Sequence, residues 1–350
     1  MAAKKETDSG AFTRLKAALK AGEPGNVYIF YGEEAYLCAH YLGMLRKLIV
    51  PDGLEDFNLH RLDGRGVTVQ TVADAAEALP MMSERTLVVV TDMDIYKLNE
   101  AQRNQLISLL EDFPPYCCLV FVYDVAAYKP DGKMKKLKEA LSSHASAVEF
   151  KAQGQSDLVN WISRHFDERG KTIDRAASEH LIFMCGTLMT GLLPEIEKIS
   201  SYAKGKKITI DDINAVADPI VEADVFAMTN AISRGDYDGA AETLGKLLKR
   251  QEEPVRLLSL IGGEMRKLYT ARIAIENGRD RSWLVDIWGM RSDYPAKLLM
   301  QSARSFTKKW CRDGVTLCRR ADLDMKTKGT DSADVLKLLL MQLAQSAKGR

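Results

Sequence analysis

The chain has 350 residues, 46% hydrophobic and 28% charged, which at roughly 150 residues per domain implies two or three globular units with cores of their own. Lys and Arg number 49 against 48 Asp and Glu, so the net +1 argues against both a basic nucleic-acid-coating protein and an acidic solvating one. That total conceals a polarity: residues 219–350 carry 23 basic and 17 acidic side chains, net +6, whereas residues 1–218 carry 26 and 31, net −5.

The first 150 residues contain short β-branched or aromatic runs, Val27 to Tyr31, Leu87 to Val90 and Leu119 to Tyr123. Uninterrupted apolar runs of this length suit strands buried on both faces of a parallel sheet. Weaker strands around Phe57–Leu62 and Ala147–Phe150 bring the expected count to five. Helix-period segments lie between them: Glu34–Leu48, Thr71–Leu79 with Val72, Ala75, Ala76 and Leu79 on one stripe, and Asn99–Glu111. This alternation predicts an α/β layer architecture.

After Phe150 the strand signal stops. Helices are expected over Gln155–Arg169, Asp174–Cys185, Leu192–Tyr202 and Ile210–Val216, the last with Thr209 as N-cap. From Pro219 onward all is helical, with Val221–Ser233, Tyr237–Arg250 and Pro254–Asn277 followed by shorter segments to Gln345. The expected units are therefore 1–150 (α/β), 151–218 (a small helical unit) and 219–350 (a larger helical one).

No apolar run approaches the roughly 18 residues of a membrane helix, and the N-terminal stretch lacks the apolar region of a secretory signal. Six cysteines, at 38, 117, 118, 185, 311 and 318, show neither a disulfide framework nor C-x-x-C spacing, and the five His do not cluster. No metal and no membrane partner are expected, and a reduced, cytoplasmic location follows.

The turn after the first strand is where an α/β protein would cradle a phosphate. Here it reads Gly32-Glu33-Glu34, one glycine and two carboxylates, without the Lys and Ser/Thr of a phosphate loop. No G-x-x-x-x-G-K-[ST] occurs anywhere in the chain. Asp92 and Asp124, each after an apolar strand, read as turn or capping carboxylates with nothing to organise. No Ser/His/Asp, Cys/His or paired-carboxylate arrangement stands out, so no catalytic residue and no cofactor are expected.

Several spaced segments together carry a resemblance. These are Tyr28 to Leu37, Leu79-Pro80-Met81-Met82-Ser83-Glu84-Arg85 with the strand after it, Gly186 through Leu192 to Ile199 and Tyr202, and Ile208 to Ile213. Val225-Phe226, Ala231-Ile232, Gly235-Asp236, Gln301 to Phe306, Ala321-Asp322, Lys326 and Gly329 follow in order. In this order the chain resembles the delta-subunit family of the bacterial DNA polymerase III clamp loader over nearly its whole length. One departure is local: Leu188-Met189 stand where that family usually has Asp-Leu.

The resemblance implies an AAA+-like (RecA-type) parallel-sheet domain with a degenerate phosphate loop, a small helical lid and a C-terminal helical collar. It implies a subunit that binds and opens the beta sliding clamp for loading on primed DNA during replication, without binding ATP itself. The implied companions are gamma/tau and delta prime subunits in a hetero-pentamer, with primer-template DNA reached through that complex in a replisome at the nucleoid. The chain would then belong to a DNA-directed DNA polymerase, a nucleotidyltransferase by association, without an active site of its own.

Leu79, Pro80, Met81 and Met82 match the family's clamp-contacting segment. Two Met on a connection are well suited to moulding into an apolar pocket; the competing reading packs them under their own sheet. Lys129 to Lys138, five Lys in ten residues, reads as a solvated helix start, with a patch facing DNA as the alternative. In the collar Arg304, Lys326 and Lys328 are candidates for DNA proximity, and intersubunit salt bridges explain such cations equally well. Trp161, Trp283, Trp288 and Trp310 fall at helical spacings and are expected in cores. Two other functions remain open: an active AAA+ ATPase of recombination or remodelling, and a helical DNA-binding regulator.

Overall fold

The computed structural model describes residues 9–327 and 329–348. Its contacts group these residues into two compact units, the first within Met1–Ala152 plus Leu188–Thr190, the second within Gln153–Thr187 and Gly191–Arg350.

In chain order the first unit runs α1 (Ser9–Ala21), β1 (Val27–Gly32), α2 (Ala35–Ile49), α3 (Glu55–Asn58), β2 (Leu59–Asp63), α4 (Val69–Glu77) and β3 (Thr86–Thr91). It continues with α5 (Glu100–Glu111), β4 (Cys117–Val122), α6 (Lys135–His144) and β5 (Ser146–Phe150). The five strands form one sheet in the order β2-β3-β4-β1-β5, and every neighbouring pair is parallel. Strand pleating sends successive side chains to opposite faces. Ile29, Val88, Val90, Leu119 and Phe121 therefore pack with Val72, Ala76, Leu106, Leu110 and Leu141 of α4 to α6. Phe30, Leu87, Val89, Cys118 and Val120 pack on the other face with Leu15 and Leu19 of α1 and Leu45 and Ile49 of α2. Burial on both faces is why the three central strands read as unbroken apolar runs. Cys117 and Cys118 are adjacent but face opposite cores, and both are free thiols.

Gly32 ends β1 at φ +132, and a Cβ there would lie 2.3 Å from the carbonyl oxygen of Phe150. The glycine is required by the close approach of β5.

Three local expectations are corrected. Phe57 belongs to the helical turn α3, and the edge strand begins only at Leu59. Leu79 is not on the buried stripe of α4: that helix ends at Glu77, and Leu79 is 73% exposed. The helix α1, read only as a non-signal N-terminus, covers the sheet through Ala11, Leu15 and Leu19, a spacing of four that its charged neighbours masked.

The second unit opens with α7 (Gln155–Asp167), β6 (Thr172–Ile173), α8 (Arg175–Cys185), α9 (Met189–Tyr202), β7 (Lys207–Ile208) and α10 (Ile210–Val216). The strand signal does not end at Phe150, because β6 and β7 form a two-residue parallel ladder too short to show a pattern. Thr209 caps α10 in a reciprocal box: its hydroxyl accepts from Asp212 N at 3.2 Å, and the Asp212 carboxylate accepts from Thr209 N at 2.9 Å. The remaining helices are α11 (Val221–Arg234), α12 (Tyr237–Lys249), α13 (Pro254–Glu276), α14 (Arg281–Trp288), α15 (Asp293–Ala303), α16 (Lys308–Thr327) and α17 (Ser332–Lys348).

Helix α13 is the axis of this unit. Leu257, Leu258, Ile261, Met265, Leu268, Ala271 and Ala274 are all buried in one cluster with α11, α12 and α14 to α17. On α16, a Cβ at Gly314 would come within 2.9 Å of Met265 Sδ, so the glycine permits the close contact of α13 and α16. Trp310 stacks on Phe306 at 3.8 Å and donates its indole N–H to the Leu343 carbonyl. Trp161 is buried, and Trp283 and Trp288 are half-buried.

Phe121 is 1% exposed at the centre of the sheet. Phe121→Ala is expected to cost about 3–5 kcal/mol, and equilibrium urea unfolding monitored by circular dichroism measures it.

Candidate functional site

Because all strands run one way, the first unit has two chemically distinct sheet edges. The turns that feed the strands meet at one, and the turns that leave them meet at the other.

At the feeding edge, Arg85 is the fastening point. Its guanidinium donates to the carbonyls of Pro24 (2.7 Å), Gly25 (3.2 Å) and Cys117 (3.2 Å), and to Asn26 Oδ1 (3.1 Å). This ties the start of β3 to the turns before β1 and β4. Ser83 Oγ donates to the carbonyls of Ile49 (3.3 Å) and Arg85 (3.0 Å). Asn58 is fully buried at the end of α3, and its carboxamide treats Met81 as a strand partner. Its Nδ2 donates to the Met81 carbonyl at 2.8 Å, and its Oδ1 accepts from Met81 N at 2.8 Å.

Between these anchors stands Met82, in the left-handed region at φ 53. That conformation is unfavourable for a residue with a long side chain, costing on the order of 1 kcal/mol, and persists because both neighbours are held. Its effect is outward: Met82 is 87% exposed, Leu79 73% and Met81 53%. Met82 and Leu48 of α2 line one shallow groove with Pro51 and Glu84. Phe57, next to the anchoring Asn58, is also half exposed. Sequence reasoning named Leu79 to Met82 but missed Asn58, Phe57 and Leu48. A polar residue inside the apolar context Phe57–Leu59 was the available sign for Asn58.

At the leaving edge, the turn after β1 is closed. Glu34 N donates to the Phe150 carbonyl at 3.0 Å, and the Glu34 side chain is fully buried. Its Oε2 accepts from Met189 N at 3.2 Å, while Oε1 has no partner. Burial pushes this carboxyl above its ordinary range, against the opposing backbone hydrogen bonds from Met189 and Tyr36. Glu33 beside it is exposed. Asp92, at φ 58 after β3, closes the neighbouring position: its Oδ1 accepts from the backbone N–H of Asp124, Val125 and Ala126 at 2.9–3.0 Å. Burial works against its ionised form, and the amides of Ala126, Asp124 and Val125 outweigh that and lower its pKa. The amides of this turn therefore already hold a carboxylate of the chain itself.

The basic candidates are dispersed. Lys129, Lys133, Lys135, Lys136 and Lys138 are exposed around the start of α6. Arg304 is exposed at the end of α15, and Lys326 is held by Asp322 at 2.8 Å. Lys308 and Arg312 likewise meet Glu276 and Asp313. Lys328 lies outside the described residues. No single described helix is long and apolar enough to cross a membrane.

The family model for the DNA polymerase III delta subunit matches residues 28–151, and the model for the C-terminal domain of the same subunit matches residues 222–343. The chain belongs to the DNA polymerase III delta-subunit family. The DNA polymerase III subunit delta of Bacillus subtilis (strain 168) is 28% identical over 335 residues, covering 93% of this chain and 95% of its own. The probable DNA polymerase III subunit delta of Aquifex aeolicus (strain VF5) is 22% identical, covering 89% of each. Among solved structures, the DNA clamp loader delta protein of Bacillus subtilis superimposes with a TM-score of 0.51 at 26% identity, covering 96% of this chain and 99% of that one. The parallel-sheet unit followed by helices is the fold of this clamp-loader subunit, and its place is in DNA replication.

Two outcomes test the two edges. Asn58→Ala removes both hydrogen bonds to Met81, each worth about 1 kcal/mol, and should speed hydrogen exchange at the Met81 amide about tenfold or more with only a small fall in Tm. Glu34→Gln removes a carboxylate whose pKa is raised on folding, so the native chain is penalised once pH exceeds the unfolded carboxylate range. The variant should be the more stable near neutrality, and the native chain should recover as pH falls toward about 4. Thermal unfolding of both proteins across that range reads the difference.

Proposed function

We propose that the chain is the clamp-opening subunit of its loader, docking on a sliding clamp through Leu79, Pro80, Met81 and Met82 without binding ATP. The observation that carries this reading is Met82, held at an unfavourable φ and 87% exposed between anchored neighbours. A fold has no use for maintaining such a side chain in water. A partner with an apolar pocket does, and transferring Met81 and Met82 into it contributes about 2–4 kcal/mol before ordering costs. Because Asn58, Ser83 and Arg85 hold the loop already, little of that is lost to ordering.

The nucleotide-independent part rests on Gly32, Glu34 and Asp92. A polyphosphate at the first turn would meet a buried carboxyl and backbone too close to Phe150 to yield. Opening of the clamp would then draw its energy from docking here and from ATP held by other subunits, of the gamma/tau and delta prime kinds. The division at 150 and 218 into sheet domain, lid and collar is part of the same proposal, with the collar joining those subunits. Arg304 is the better-placed collar cation for DNA, since Lys326 already has Asp322 as a partner. A replicating cytoplasm is the setting this implies.

The test is the double variant Met81→Ala with Met82→Ala. It should lose clamp affinity by on the order of 100-fold in surface plasmon resonance, with an unchanged circular dichroism spectrum. The native chain should bind equally with and without ATP. Undiminished binding by the double variant removes the docking assignment, and saturable ATP binding by the isolated chain removes the nucleotide-independent one.

A further inference from the structure

The docking loop is one part of a three-part platform in which each part is fastened to the other two. Arg46, near the end of α2, pairs with Glu55 of α3, Nη1 to Oε1 at 3.3 Å. Asn58, at the end of α3, holds both backbone groups of Met81 at 2.8 Å. Ser83 Oγ returns the loop to α2 through the Ile49 carbonyl at 3.3 Å. This closed set of bonds fixes the spacing of the side chains that the three parts present.

Each part presents an apolar one. Leu48 of α2 is 42% exposed, Phe57 of α3 51% and Met82 of the loop 87%. The outward turn of Phe57 has a local cause. Successive helical residues lie about 100° apart around the axis, and α3 directs Asn58 inward, where it is fully buried. Leu48 and Met82 border the same groove, so the apolar surface runs on from the loop to α2. Single exposed apolar residues are ordinary on a protein surface, but several on one rigid platform mark a contact. A body seated on Met82 covers the groove it shares with Leu48. Phe57 is one residue from the group that holds Met81.

The charge left around these side chains is acidic. Glu23 and Glu84 line the groove and Asp56 precedes Phe57, all three exposed. Arg85 in the same groove is engaged with four acceptors of its own chain, and Arg46 with Glu55. Lys47 is the exposed cation in the last turn of α2. A partner complementary to this surface carries basic side chains around its apolar recess.

We propose that Phe57 and Leu48 form a second apolar anchor on the sliding clamp, and that the clamp surface receiving them is rimmed by cations. This rests on the docking reading above and enlarges the contact from one loop to three segments of the chain.

The experiment is surface plasmon resonance of the full chain on its sliding clamp. Phe57→Ala should weaken binding by about tenfold or more, and Leu48→Ala by about threefold or more, each with Tm close to native. Hydrogen exchange at the Met81 amide should stay native in Phe57→Ala, which separates a lost anchor from a loosened loop. Glu84→Gln should slow association by about threefold and flatten its dependence on salt. Should Phe57→Ala fail to fold, Leu48→Ala carries the test. Native affinity in a folded Phe57→Ala or Leu48→Ala variant overturns the second anchor, and so does a loss accompanied by faster exchange at Met81. If Met81→Ala with Met82→Ala still abolishes binding in that case, the loop reading stands alone. Undiminished binding by that double Met variant overturns the reading beneath, whatever Phe57→Ala does. Association unchanged by Glu84→Gln overturns the basic rim.

Discussion

The parallel arrangement of five strands is the constraint from which the first unit follows. Parallel strands force each crossover to return across a face, so both faces are covered and all feeding turns gather at one edge. That geometry brings Pro24 to Asn26, Asn58, Met81 to Arg85 and Cys117 to one place despite wide separation in the chain. Arg85 and Asn58 can fasten the Met82 loop only because the sheet has already aligned their partners. The same alignment places Gly32, Asp92 and Asp124 together at the opposite edge.

The two edges use polar groups in opposite ways. At the leaving edge the chain satisfies itself: Asp92 consumes three amides, Glu34 takes the amide of Met189, and the carbonyl of Phe150 takes that of Glu34. Donors that a phosphate loop would turn toward a nucleotide are turned inward. At the feeding edge Asn58 and Arg85 pair with the backbone of Met81, Pro24, Gly25 and Cys117, but apolar side chains are left in water. One edge has filled its own anion-binding amides, and the other has a loop that withholds Met82 from the core.

What was readable along the chain was whatever repeats locally. The β-branched runs of β1, β3 and β4, the period of α13 and the Thr209 cap are near-neighbour patterns, and the structure reproduces them within a few residues. The missing phosphate loop was equally plain, since it is a matter of which residues follow β1. Leu79 was misplaced because periodicity continued past the residue where α4 ends, and Phe57 because an apolar residue before a strand looks like the strand. The ladder of β6 and β7 has two residues on each side, and α1 carries its apolar positions among charges.

The sequence by itself determined a parallel α/β unit followed by helices, family membership, and the choice of Leu79 to Met82 as the segment of interest, because composition and spacing are properties of consecutive residues. Only the tertiary structure decided whether those methionines lie under the sheet or in water. That outcome depends on Asn58, 23 residues upstream of Met81, and on Arg85 reaching turns on either side of it. It also decided that Glu34 is buried against the amide of Met189. Contacts between residues far apart in the chain leave no periodic trace, so a buried carboxamide or carboxylate shows its purpose only when its partners, or the lack of one, can be seen.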